Sequence, residues 1–490
     1  MESKNISEDL LYQYWINHKE LGQLKTIAGD DVEILDIGVF NSNSGGPDFK
    51  NSRIRIGNFV FVGDVEIDTN YADWVNHAHN LNNHYNKVIL HVSLYNKQNQ
   101  EYVYTRDGRR IPNLCLSYYL NQGSIDLINK EKEPIKGNHA FLKCLKDINV
   151  LSEDKKIEVL SKMGIERLNK KCERILIRLK ELSYIDSLGI NEPISKFNMS
   201  PEEIEKQINP KILEKTQIWE QIFYELIFEA LGYSKNKVPM LELAKAANIE
   251  FMKKINDNTF IENAEASLFN IANLFNDNLK ADTANLSGYV KNIVKTWQKT
   301  KVLYQGAILT DVEWHFFKLR PQNFPTIRIA GGAKFLDQLL NHNLINVIIK
   351  KIKEIHNLNV LIGSIKNLFV IKAEGYWKEH YIFEKQIKSE IKYFVGAQRA
   401  DEIMVNVIFP LFLVYFEVFN QPELGKKILH MYNIFSQKSE NNIVSEVAEA
   451  LNMNKYIEKT ILTQGMLEIF RNYCSKNKCP DCPIGAAIFN

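Results

Sequence analysis

Residues 45–91 read GGPDFKNSRIRIGNFVFVGDVEIDTNYADWVNHAHNLNNHYNKVILH, and the fold of the chain is decided there. Gly-Gly-Pro-Asp is a turn that presents Asp48. From Phe59 to Asp68 the residues alternate with the period of a strand. Phe59, Phe61, Gly63, Val65 and Ile67 take one face; Val60, Val62, Asp64, Glu66 and Asp68 take the other. The first face is expected to anchor the strand in a core. The second carries three carboxylates in a row. Like charges this close raise one another's pKa unless a cation sits among them, and an oxygen-rich cluster suits Mg²⁺ or Mn²⁺. A solvated acidic face is the plainer reading of Asp-x-Glu-x-Asp; Asp48, upstream, brings the metal reading level with it.

Working outward, an amphipathic helix is expected near Ser7–His18 and a strand over Val32–Phe40. A hairpin follows, Ser52–Ile56 with Phe59–Asp68, turned at Gly57-Asn58. A helix over Ala72–Asn83 and a buried strand over Lys87–Tyr95 close the unit. The order is αβββαβ. With Pro47-Asp48 before the second strand and Glu66 within the third, it resembles the core of the PD-(D/E)XK nuclease superfamily. That resemblance implies that Asp48 and Glu66 hold a divalent metal. Where the superfamily carries an activating Lys, two residues after the acid, this chain has Asp68, which would add a ligand or position water.

The runs GPDFKNSRIRIG, GDVEI, ADWVNHAH and YNKVILHV, with RPQNFPTIRIA and CPDCPIG further on, resemble the bacterial family known as domain of unknown function 2851. Its pattern has His where this chain has Asp68, and an H-x-H that His77 and His79 match. Those two are candidates for proton transfer, phosphate contact or metal ligation. The alternative is structural histidines packed about Trp74 and Tyr85. Residues two apart on a regular helix do not face one site.

Net charge is +2 over 490 residues, so no overall basic field points to nucleic acid. Residues 1–125 carry 11 Lys/Arg against 15 Asp/Glu, and the remainder 50 against 44. An acidic catalytic region beside a mildly basic body is compatible with metal-dependent chemistry on DNA or RNA. The start MESKNISEDLL has no apolar core, and the most apolar run, Val407–Phe416, is too short to span a bilayer. Six unevenly placed cysteines argue for a reducing cytoplasm rather than a disulfide framework.

From about Glu153 helical patterns dominate. Lys156–Leu182 is a long amphipathic helix rich in Lys and Arg, whose cations either face water or line a groove for a nucleic-acid backbone. Arg320, Asn323 and Arg328 either grip an anion or tie a proline-rich loop to its neighbours. Cys474, Cys479 and Cys482 are spaced C-x4-C-x2-C, which suits zinc or an iron–sulfur cluster if a fourth ligand arrives from elsewhere; buried free thiols are the alternative.

The expected architecture is therefore α+β: a restriction-endonuclease-like domain over 1–125, a linker over 126–152, a helical domain over 153–457, and a terminal helix with the cysteine tail over 458–490. The expected function is a Mg²⁺- or Mn²⁺-dependent phosphodiesterase acting on nucleic acid, with Asp48, Glu66, Asp68, His77 and His79 at its site. The alternative is an inactive nuclease-like module that binds nucleic acid or protein, or a structural protein.

Overall fold

The computed structural model describes residues 8–41, 46–120, 151–189, 213–233, 235–275, 286–316, 319–387, 389–438, 441–476 and 478–489. Ser7, Gly45, Cys144 and residues 126–150 of the expected linker lie outside them. The chain forms two units: Met1–Gly137 with Trp314–Arg320, and Asn138–Glu313 with Pro321–Asn490. It is a mixed α+β protein, with a sheet in the first unit and mostly helices in the second.

In the first unit, helix α1 (Glu8–Ile16) precedes strands β1 (Leu24–Lys25), β2 (Asp31–Asp36), β3 (Val39–Phe40), β4 (Phe49–Ile56) and β5 (Phe59–Asn70). Helix α2 (Asp73–Asn76) leads to β6 (Val88–Tyr95), β7 (Tyr102–Tyr104) and β8 (Arg110–Cys115). The sheet runs β1-β2-β4-β5-β6-β8-β7, with β3 also on β4. β4 and β5 are antiparallel, whereas β5, β6 and β8 are parallel. The strand expected over 32–40 is two strands. Gly38 separates them at φ 78°, its Cα so close to the Lys50 carbonyl that a Cβ would stand 2.3 Å from that oxygen.

Period-two alternation sorts β5 as expected in its second half. Val65 and Ile67 join Leu11, Trp15, Phe49, Leu90 and Val92 in one core, while Glu66 and Asp68 point to the opposite face. The first half departs from the expected anchored face: Phe59, Val60, Phe61 and Val62 are exposed. The cause is topological. The ladder to β6 begins only at Asp64, so the hairpin tip runs on beyond the strand that would flank it.

In the second unit, Ser152 caps a helix of Glu153–Ser187 by accepting the Lys155 N–H. Helices Thr216–Leu231, Phe260–Ile271, Pro325–Asn341 and Thr460–Asn472 supply much of the remaining core. The helix expected over Arg399–Phe419 is interrupted. Ala397–Ile403 passes through a π-turn, Met404–Ile408, into Phe409–Val418. Pro410 has no N–H to give to the ladder, and the wider turn lies next to it. Two small sheets, Ile371–Lys372 with Tyr393–Val395 and His380–Ile382 with Lys385–Gln386, lie within the region expected to be all helix. Strands of two or three residues are too short to show a period.

One buried group in this unit makes its stability depend on pH. Glu265 accepts from Tyr289 Oη at 2.7 Å, and burial pushes its carboxyl up to about 7. A carboxyl raised in the folded state binds its proton more tightly there than in the unfolded chain. Its favourable contribution is therefore full below about pH 4.5 and falls as pH rises towards 7. Glu265→Gln is expected to leave stability at pH 5 nearly unchanged. At pH 8 it should raise stability by on the order of 3 kcal/mol, read by urea unfolding at both pH values.

Candidate metal centre

The polar face of β5 meets the segment between α2 and β6. Sequence reading gives that segment one helix over Ala72–Asn83. Instead, α2 ends at Asn76, and short 3-10 turns cover His79–Leu81 and Asn83–Lys87. Ala78 sits between them, buried and left-handed at φ 61°, a conformation that costs an L-residue about 1–2 kcal/mol. The break has a consequence that a regular helix forbids: His77 and His79 both turn onto the same carboxylate. His77 Nδ1 is 3.0 Å from Asp68 Oδ1, and His79 Nε2 is 3.8 Å from Asp68 Oδ2 and 3.1 Å from Glu66 Oε1.

The five residues singled out in the sequence form one network. Phe49 lies opposite Val65 in the β4–β5 ladder. Beside it, the Asp48 N–H donates to Glu66 Oε2 at 3.1 Å, and the Ile67 N–H donates to Asp48 Oδ2 at 2.9 Å. Tyr12 Oη, from α1, donates to Asp48 Oδ1 at 2.8 Å. Glu66, Asp68 and His79 are wholly buried, and Asp48 is 9% exposed. The side chain of His77, at 24%, is the point where this chain of groups meets solvent. Asp64, the third acid of the row, turns aside to accept the Asn51 N–H at 3.0 Å.

Hydrogen bonding also settles a tautomer. Asn96 Oδ1 accepts the Gln100 N–H, and Asn96 Nδ2 donates to the Gln100 carbonyl, so the backbone orients that amide. Asn96 Nδ2 also reaches Asn113 Oδ1 at 2.9 Å, which turns Asn113 Nδ2 onto His91 Nδ1 at 3.0 Å. His91 Nδ1 therefore accepts, and its proton is on Nε2, 3.2 Å from Asp68 Oδ2. His91 thus holds Asp68 through its Nε2–H. Trp74 and Tyr71 flank its ring, with centroids 5.2 and 5.9 Å away, and Tyr85 lies 4.0 Å from His79.

The two aspartates are shifted in opposite directions. Burial, reinforced by Glu66, pushes the Asp48 carboxyl well above the usual range, against the opposing bonds from Ile67 and Tyr12. Burial acts on Asp68 as well, but the bonds from His77, His79 and His91 prevail and keep it well below that range. Asp68 is ionised at neutral pH. Asp68, His77 and His79 each offer a ligand atom, and these lie within 4.8 Å of one another. They are the one such set among the described residues. Two imidazoles and a carboxylate suit Mn²⁺, Fe²⁺ or Zn²⁺ better than Mg²⁺.

The other candidates are placed elsewhere. Arg328 is buried; it donates to the Phe394 carbonyl, to Tyr233 Oη at 2.5 Å and to Asn323 Oδ1 at 2.7 Å, which is the loop-tying role. Cys474 and Cys482 lie in an apolar cluster with Leu462 and Met466, and burial raises the Cys482 thiol. Tyr12, Asn96 and Asn113 carry no local signal in the sequence, since each reaches the site only through the fold. No described helix is long and apolar enough to cross a membrane.

A family model described as "Protein of unknown function (DUF2851)" matches residues 8–186 and 198–442, and the chain belongs to that family. No curated protein and no solved structure matches it.

Proposed function

Starting from that membership and the network on β5, we propose that the first unit is a divalent-metal-dependent phosphodiesterase acting on nucleic acid. The observation that carries the reading is the convergence of Asp68, His77 and His79 on one point, beside the Asp48–Glu66 pair of adjacent strands. A Pro-Asp turn and a strand acid locked together in this way are also what the PD-(D/E)XK likeness calls for. Asp68, His77 and His79 would hold the metal, of which Mn²⁺ fits both the donor set and phosphodiester chemistry. A metal bound there would lower the pKa of a water and offset charge on a phosphoryl oxygen. His91 orients Asp68 through its Nε2–H, and Tyr12 with the Ile67 N–H keeps Asp48 beside Glu66. The superfamily's Lys is absent. His77, at the solvent edge, marks where water or substrate would reach that metal.

The burial of Glu66, Asp68, His79 and His91 favours a second reading, a structural polar network in a binding module. One experiment separates the two. The full chain is incubated with single- and double-stranded DNA and RNA in Mn²⁺, Mg²⁺, Zn²⁺ or EDTA, beside His77→Ala, and Mn²⁺ binding is followed by paramagnetic resonance. The proposal expects cleavage that needs metal and falls about 100-fold or more in His77→Ala, with Mn²⁺ affinity also reduced. A folded protein that neither binds Mn²⁺ nor cleaves any of the four substrates would overturn it and leave the binding module.

A further inference from the structure

The helical unit holds a cavity of about 790 Å³ that the site in the first unit does not use. Eight cationic side chains line it against three carboxylates, and those carboxylates are largely engaged. Glu468 takes Arg167 at 3.1 Å and Lys170 at 2.5 Å. Glu229 takes both terminal nitrogens of Arg174, at 2.9 and 2.8 Å. Glu402 accepts from Asn406. Lys171 and Arg399 make no ion pair among the described residues. Lys171 Nζ bonds only neutral acceptors, the Val405 carbonyl and Gln464 Oε1. Arg399 lies over the Tyr233 ring at 3.1 Å and donates to the Ala230 carbonyl, while its Nε is buried with no acceptor. Tyr233 itself is held left-handed at φ 54°, a strained placement that sets its ring between Arg399 and Arg328.

A folded chain does not gather unpaired cations around a concave, half-enclosed space without cost. Desolvation and mutual repulsion both oppose it. The cost shows in the groups themselves. Burial, reinforced by Arg167, holds Lys171 well below the usual amine range, and burial pulls Arg399 and Lys237 down as well. An anion in the cavity would relieve both terms. Lys171, Arg399 and Arg471 come from three different helices, so they surround a ligand rather than form a stripe along a backbone. The cavity also has the volume of a small-molecule site, and Leu226, Val444 and Leu467 give it an apolar wall.

We infer that this cavity binds a small molecule bearing a pyrophosphate group, as in a nucleoside di- or triphosphate. Guanidinium and ammonium donors from several directions match the oxygens of linked phosphates. The inference stands on the second unit alone and is independent of the metal centre.

The test is calorimetric titration of the full chain with inorganic pyrophosphate, ADP, adenosine and a single-stranded DNA oligonucleotide at matched ionic strength. Arg471→Glu, at an exposed position, and Lys171→Gln are the variants. Saturable binding of pyrophosphate and ADP is expected, with none for adenosine. Arg471→Glu should weaken it about tenfold or more, Lys171→Gln should also weaken it, and Arg471→Lys should restore it. The melting temperature of unliganded Arg471→Glu should match the parent. Failure of pyrophosphate and ADP to saturate, or equal affinity in Arg471→Glu and Lys171→Gln, would overturn the proposal. So would an oligonucleotide that binds more tightly than ADP and loses affinity in the same variants, which would make the cavity part of a nucleic-acid track.

Discussion

Asp68→Ala is expected to destabilise the first unit by about 3–5 kcal/mol, the usual result of deleting one member of a buried charged network. Asp68 is wholly buried and ionised, and it faces three imidazoles. Its removal leaves the His91 Nε2–H with no acceptor, since Asn113 fixes the proton on that nitrogen. It also removes what the turn at Ala78 is bent to reach, so the left-handed residue keeps its strain without the bonds that offset it. Asp68→Asn keeps the shape and one acceptor oxygen and should cost less. Hydrogen exchange read over β5, β6 and residues 73–87 places the loss in this unit, which a global melting curve of a two-unit chain does not. A loss under about 1 kcal/mol would show that the network does not hold the segment in place.

Gly465→Val is expected to cost at least about 3 kcal/mol, at the upper end of what overpacking does. The helices Glu153–Ser187 and Thr460–Asn472 touch backbone to backbone through a reciprocal pair of glycines. A Cβ on Gly465 would stand 2.0 Å from the Leu160 carbonyl oxygen, and one on Gly164 would stand 2.1 Å from that of Ile461. Neither carbonyl is the end of a flexible side chain, so the helices must part. Parting them loosens Leu160, Met163, Leu462 and Met466 in one cluster and breaks the bond from Tyr432 Oη to the Gly164 carbonyl. Gly164→Ala and Gly465→Ala act on the same gap. The double variant should therefore cost less than the sum of the two singles, in a cycle measured by urea unfolding. Gly425 is the control: it lies in the helix Pro422–Ile434 with open space where a Cβ would go, and Gly425→Ala should stabilise by about 0.5–1 kcal/mol. The same helix pair presents Arg167 and Lys171 opposite Gln464, at 2.9 and 3.0 Å. Gly465→Val should accordingly weaken pyrophosphate binding as well.

Much of the first unit is readable residue by residue. The alternation in the second half of β5 and the Gly57-Asn58 turn follow from local period and turn chemistry, and the structure keeps both. The long cationic helix is likewise written in its own spacing and its Ser152 cap. These features depend on residues a few positions apart, where backbone geometry alone dictates which side chains share a face.

What the tertiary structure decided lies in pairings over long separations. Ala72–Asn83 has the length of a helix, and although Asn76, Asn80, Asn82 and Asn83 favour turns, none of them marks Ala78 as the break. The break at Ala78 is set by Asp68 and Glu66 on β5, whose buried oxygens are met only if both His77 and His79 turn inward. His91 acquires its tautomer from Asn96 and Asn113, on later segments of the sheet unit. On the long helix, one face offers Arg167, Lys171 and Arg174 alike. Which are matched and which remain unpaired depends on Glu468, Glu229 and Gln464, brought up from distant helices. Local sequence determines where side chains point, because backbone dihedrals are local; it does not determine what they meet, because burial and charge pairing are set by whatever the rest of the chain packs against them.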